Sequence, residues 1–265
     1  MCADRSGIAA KDLRLPFAYL EQSETLGIHM DVHELLIKNR SHRRFHEDEH
    51  VSEQTLVELV ELTRYCPSGA NRQPLRYLIA HTPEHCAEIF PHLGWAKWLP
   101  DWDGPEPGDR PAGYITILGD RTISGHFDHD AAIAAFAILL GATERGLGGC
   151  MIGWIHRDEL AQTLDLPENL QILMVIALGR PKDEVVLEES LHPSDIAYWC
   201  DAEGRHHVPK RPLDELILPR SEPVLSGADK SPFAESEPGG NVPRPHAWER
   251  VFAALVHPGG DPSRN

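Results

Sequence analysis

No two of the five cysteines, at positions 2, 66, 86, 150 and 200, fall at a C-x-x-C spacing. An odd, scattered set reads as reduced thiols, not as a disulfide framework or a zinc site. A leader is not expected either. Met1 runs into Cys2-Ala3-Asp4-Arg5 without a basic start and apolar core, so no signal peptide is expected. The longest apolar stretch, Ala131 to Leu140, is too short to span a bilayer. Positive charge is scarce, with 25 Lys+Arg against 41 Asp+Glu and a formal net charge of −16. A surface that acidic repels phosphate backbones and anionic lipid, which argues against nucleic acid and membrane as partners. Any phosphate must be held by a local pocket. A soluble, cytoplasmic protein is expected.

What is present suffices for one folded body. The 265 residues, 41% of them apolar, support one domain with a full core and hardly two. Residues 1–28 read as an N-terminal extension, 29–219 as the domain, and 220–265 as a Pro/Gly-rich tail with a short helix at Trp248 to Val256. Asp31 followed by Glu34 starts a first helix, and Ser52 caps a second that stops before Pro67. A short helix follows Pro83. Asp130 to Arg145 is apolar around most of its circumference and is expected to be a buried central helix. Asp128 and Asp130 cap it, Gly146 ends it in a left-handed turn, and another short helix runs from Asp158 to Leu164. Leu75 to Ala80, Tyr114 to Leu118 and Ile172 to Leu178 read as strands. Helices and strands do not alternate strictly, so the expected class is α+β, not a doubly wound parallel sheet.

Three separated segments have the makings of a phosphorylated-ligand site. In Asn39-Arg40-Ser41-His42-Arg43-Arg44-Phe45 the arginines offer planar forks for phosphate or carbonyl oxygens and Ser41 a hydroxyl. A solvated basic helix end explains the same residues. In Pro67-Ser68-Gly69-Ala70-Asn71-Arg72-Gln73-Pro74 the proline and glycine fix a turn. There Ser68, Asn71 and Gln73 present groups that can read the edge of a planar heterocycle. In Gly146-Leu147-Gly148-Gly149-Cys150-Met151-Ile152-Gly153 the glycines let backbone amides approach a ligand closely. The segment is neither a dinucleotide fingerprint nor a phosphate loop of the Walker type, since it follows a helix and its glycines are out of register.

The order R-S-x-R-x-F, then P-S-G-A-N-x-Q-P before a strand, then G-L-G-x-C-x-I-G after a long apolar helix, resembles nitroreductase-like FMN-dependent flavoproteins. His207-Val208-Pro209-Lys210-Arg211-Pro212-Leu213 is similar to their closing segment. The resemblance implies an intertwined homodimer with a central mixed or antiparallel sheet flanked by helices. It implies FMN held by Arg40, Ser41 and Arg43, with Lys210 and Arg211 completing the phosphate clamp. Pro67, Ser68, Gly69, Asn71 and Gln73 would line the flavin from the partner subunit. The backbone at Met151, Ile152 and Gly153 would face flavin N5. Asn39 stands where relatives often carry a second basic residue. The implied reaction passes hydride from NADH or NADPH through the flavin to a small electron-poor acceptor, a nitroaromatic or quinone, in a ping-pong exchange without a catalytic side chain. The competing reading is a flavin-binding sensor or storage protein without turnover.

Trp95, Trp98 and Trp102 are candidate substrate-stacking residues, or packing at a dimer interface. The acids beside them, Asp101, Asp103, Glu106 and Asp109, would disfavour anionic substrates. The histidines at 42, 46 and 50 lie in a loop leading to Ser52, and no metal site is expected from them. Cys150 reads as a buried neutral thiol.

Overall fold

The computed structural model describes residues 31–96, 98–99, 102–190, 192 and 194–218. The expected extension at 1–28 and tail at 220–265, with its short helix, lie outside the described residues. A boundary between Lys38 and Asn39 separates two units. In the first, helix α1 (Val32–Lys38) opens on a reciprocal capping box. The Glu34 amide donates to the Asp31 carboxylate at 2.8 Å, and the Asp31 amide to the Glu34 carboxylate at 3.3 Å. None of its residues is buried.

In the second unit, apolar runs form a four-stranded antiparallel sheet in the order β1-β2-β4-β3. The strands are β1 (Leu75–Ala80), β2 (Gly113–Asp120), β3 (Gly148–Ile152) and β4 (Leu170–Gly179). Every residue of β2 is buried, as expected of a strand covered on both faces. Its side chains alternate with period two. Ile115 and Ile117 join Ile176 and Leu178 under α2 (Glu53–Leu62) and α4 (Asp128–Glu144). Tyr114 and Leu118 join Val175 and Ala177 on the opposite side, under α3 (Pro83–Ile89) and α5 (Arg157–Thr163). Each fully buried Ile or Leu here stabilises the fold by about 1.5–3 kcal/mol. Ser52 caps α2 by accepting the Thr55 amide at 3.1 Å, and His46 and His50 lie in the loop before it.

A smaller sheet follows, in the order β5-β7-β6, with β5 (Val185–Glu189) parallel to β7 (His206–Lys210) and β6 (Trp199–Cys200) antiparallel to it. A single-turn helix, α6 (Leu213–Leu216), comes after it. His207 ties the small sheet together. Its Nδ1 meets the Glu188 carboxylate, its Nε2 lies 3.0 Å from Asp201 Oδ2, and its ring stacks on Trp199 at 4.1 Å.

Gly146 takes φ +71 and closes α4, as expected, and Gly148–Ile152, which the sequence pattern does not mark as a strand, is the edge strand β3. Gly149 is required there for packing, because a Cβ would lie 2.5 Å from the Ala177 carbonyl oxygen. Asp128 and Asp130 do not cap α4; the N-cap is Phe127, which makes no side-chain cap bond. Nor is α4 buried all round, since Ile133 and Phe136 lie exposed on one side.

Candidate functional site

The free edge of β3 carries the first motif. Ser41 bridges Gly149 in parallel sense, and the His42 amide donates to the Gly149 carbonyl at 3.0 Å. Phe45, fully buried, anchors the end of the segment. Asp183, just beyond β4, locks its middle: Oδ1 lies 2.7 Å from His42 Nδ1, and Oδ2 accepts the Arg43 amide at 2.9 Å. Burial raises the Asp183 pKa, but the hydrogen bonds from His42 and the Arg43 amide outweigh it and hold the carboxyl below its ordinary value. Cys150 is buried beneath this segment, and burial pushes its thiol pKa up, as expected of an inert thiol.

Two cations converge on the same edge. Burial lowers the Arg40 pKa. Lys210, at the end of β7, is lowered by burial and then by the nearby Arg40 charge. Like charges brought together in an acidic chain mark a place where an anion is stabilised. The Arg211 guanidinium donates to the Glu215 carbonyl and carboxylate at 3.2 and 3.4 Å.

At the C-terminal end of β3, Met151 is exposed and Ile152 is buried. A Cβ on Gly153 would meet nothing within 4 Å. The turn is pinned by Arg157, which donates to the carbonyls of Gly153 at 3.0 Å, Ile172 at 3.1 Å and Leu173 at 3.2 Å. The result is an open position of fixed geometry at the end of the strand whose edge carries Ser41.

The 67–73 loop is held in an uncommon conformation. Ala70, Asn71 and Gln73 have φ of 52, 54 and 52°, each in the left-handed region that non-glycine residues seldom occupy. Asp130 of α4 holds the loop by accepting the Ser68 hydroxyl and, at 3.1 Å, the Gly69 amide. Ser68 in turn accepts the Gln73 amide at 2.9 Å, and the Gln73 side chain bonds Asn71. These bonds stay within the loop or reach Asp130, none of them running to Arg40–Arg43. Pro67, Gly69, Asn71 and Gln73 are exposed and Ser68 is half-buried.

The tryptophans divide. Trp95 packs in the core against Phe90 and Trp102 and is not available to a substrate. Trp98 and Trp102 line a cavity of about 320 Å³ together with Arg43, Arg44, Asp183 and His206. Among the described residues, the acids Asp103, Glu106 and Asp109 do not line it: Asp109 pairs with Lys182 at 2.5 Å, and Asp103 and Glu106 are exposed. Asp101 lies outside the described residues. Sequence reasoning missed Asp183 and Arg157, whose roles come from partners far along the chain, and took Asp130 for a helix cap.

The nitroreductase family model matches residues 36–106 and 109–180, more than half of the chain. The chain belongs to the nitroreductase family. An Archaeoglobus fulgidus protein that carries an NADH dehydrogenase/NAD(P)H nitroreductase name is 26% identical over 157 residues, covering 56% of this chain and 85% of that one. Among solved structures, a nitroreductase family protein from Clostridium difficile 630 is 20% identical, with a TM-score of 0.53 over 73% of this chain and all of that one. A nitroreductase from Exiguobacterium sibiricum solved in complex with FMN is 17% identical. Its TM-score is 0.51, over 64% of this chain and 98% of that chain. These likenesses agree with the α+β nitroreductase fold. No helix among the described residues is long and apolar enough to cross a membrane.

Proposed function

We propose that residues 29–219 form an FMN-binding domain and that two copies make an NAD(P)H-dependent oxidoreductase acting on an electron-poor acceptor. The reading rests on the approach of Arg40 and Lys210, with Ser41 bridged to Gly149 on the edge of the strand that leads to the open position at Gly153. That arrangement fits FMN: the cations suit its phosphate, and a patch without side chains suits its planar ring. FMN, when bound, takes hydride from NADH or NADPH and delivers electrons to an acceptor such as a nitroaromatic or quinone.

The chain's own residues bind and orient. Arg40 and Lys210 neutralise the phosphate, Ser41 adds a hydroxyl, and Arg43 reaches the polar oxygens of the ring. Asp183 keeps that segment in register against β3, and Arg157 keeps the Met151–Gly153 backbone in place. The loop of Pro67, Ser68, Gly69, Asn71 and Gln73 comes from the second copy. The exposed Ile133 and Phe136 on α4 support a homodimer, because contiguous apolar surface of this kind marks an interface. Described cysteines 66, 86, 150 and 200 are free thiols, in keeping with a cytoplasmic location.

The test is the visible spectrum of the purified protein, followed anaerobically as NADH and then NADPH are added. Flavin bands near ~450 nm that bleach and return with a nitroaromatic or quinone support the reading. Bound flavin that never bleaches makes it a flavin-binding module, and protein that takes up no added FMN overturns the proposal.

A further inference from the structure

The cavity beside the cationic edge has a composition that singles out a ligand class. Its wall carries two guanidiniums, those of Arg43 and Arg44, and two indoles, those of Trp98 and Trp102. Arg43 lies 4.9 Å over the Tyr198 ring and Arg44 lies 5.9 Å over the Trp102 ring. Stacking of this kind orients a guanidinium and leaves its in-plane N–H donors available. Among the described residues neither arginine forms an ion pair with a carboxylate. Asp183 also lines the space, but both its oxygens are occupied, by His42 Nδ1 and by the Arg43 amide. His206, only 6% exposed, lines the same wall, and its Nε2 has no hydrogen-bond partner. In a chain of net charge −16, two arginines without a carboxylate partner among the described residues, of which Arg43 also donates to the Ser41 carbonyl at 3.3 Å, form with the stacked aromatics a local positive slot with flat apolar sides.

We propose that this cavity binds a planar aromatic carboxylate, the carboxylate on the Arg44 guanidinium, with Arg43 adding positive charge from the same wall, and the ring against the Trp98 and Trp102 indoles. An arginine fork matches a carboxylate with paired charge-assisted bonds, and an indole face matches a ring. As an acceptor class the inference rests on the flavin reading above and names aromatic acids within it; as a binding site it stands without flavin.

The experiment is calorimetric titration of the full-length protein with 4-nitrobenzoate and with its neutral isostere 4-nitrobenzamide, at low and high salt, on the unaltered protein and on Arg44→Gln. The expected result at low salt is benzoate binding about tenfold tighter than the amide, the ratio falling as salt screens the charge. Arg44→Gln removes most of that preference and leaves amide affinity unchanged. Equal affinities for the two ligands, or a preference that Arg44→Gln leaves intact, overturn the inference. Should Arg44→Gln misfold, the salt response of the unaltered protein decides, and a ratio indifferent to salt overturns it. Spectra separate the two readings. Preferred benzoate binding without bleaching by NAD(P)H keeps the cavity assignment and sinks the oxidoreductase. Turnover that treats acid and amide alike, with equal binding, does the reverse.

Discussion

Asp130 carries more of the candidate site than its place in the sequence suggests. An acid near the start of a helix ordinarily stabilises the helix end. Here it instead holds the Ser68 hydroxyl and the Gly69 amide and so fixes a loop with three left-handed non-glycine residues. Such conformations cost about 1–3 kcal/mol each and persist only when neighbours enforce them. Hydrogen bonds to a charged group contribute about 1.5–3 kcal/mol. Asp130→Asn is therefore expected to release the loop and weaken FMN binding about tenfold or more, with a smaller effect on melting; flavin fluorescence on titration measures it. Unchanged FMN affinity would remove Asp130 from the site. The arginines, serine and glycines of the motifs were legible in the sequence because their chemistry is local. Asp130, Asp183 and Arg157 were not, because each acts on a segment brought to it by the sheet.

At the scale of elements, β3 shows why glycine misleads. Gly148 and Gly149 have low intrinsic strand preference, yet pairing with β4 makes the segment a strand, and the Ala177 carbonyl permits no Cβ at 149. Gly149→Ala is expected to lower stability by about 1–3 kcal/mol through overpacking. Gly153→Ala, facing open space, is expected to stay within about 0.5 kcal/mol; thermal melts of the two compare them. Equal melting points would mean that β3 does not pack as described. The long apolar strands β1, β2 and β4 were readable by pattern. Strands β5 to β7 were not, being short and rich in charged and polar residues. Their stability depends on pH through His207, whose pKa is raised by its bond to Asp201 and, after a smaller opposing effect of burial, by Glu188. The protonated form is the one favoured by folding. This stabilisation is thus full below the ordinary histidine value of about 6.5 and fades as pH rises through the higher folded value. Amide exchange in β7, corrected for intrinsic rates, is expected to accelerate across that window, and to lose this dependence in His207→Gln. A profile unaffected by that substitution would exclude the mechanism.

For the whole molecule, the α+β class followed from the mix of elements in the sequence, and the structure and the family agree with it. The face of α4 was the instructive failure. A helix apolar around its circumference reads as buried, but in a single copy Ile133 and Phe136 remain exposed. On the homodimer reading, that apolar side is covered by a second copy of the chain. Phe136→Glu costs a single copy little, because the residue already faces solvent. On the homodimer reading it is expected to yield monomer in analytical ultracentrifugation and to lose flavin with it. A variant that stays dimeric would place the interface elsewhere.

The loop anchor Asp130 and the apolar pair Ile133 and Phe136 ride on one rigid helix, α4. On the homodimer reading, association and cofactor occupancy then become linked equilibria. Whatever factor FMN contributes to the dimerisation constant, dimerisation returns to FMN affinity, as reciprocity demands. Flavin retention becomes a function of protein concentration, and dilution alone drains the cofactor by mass action.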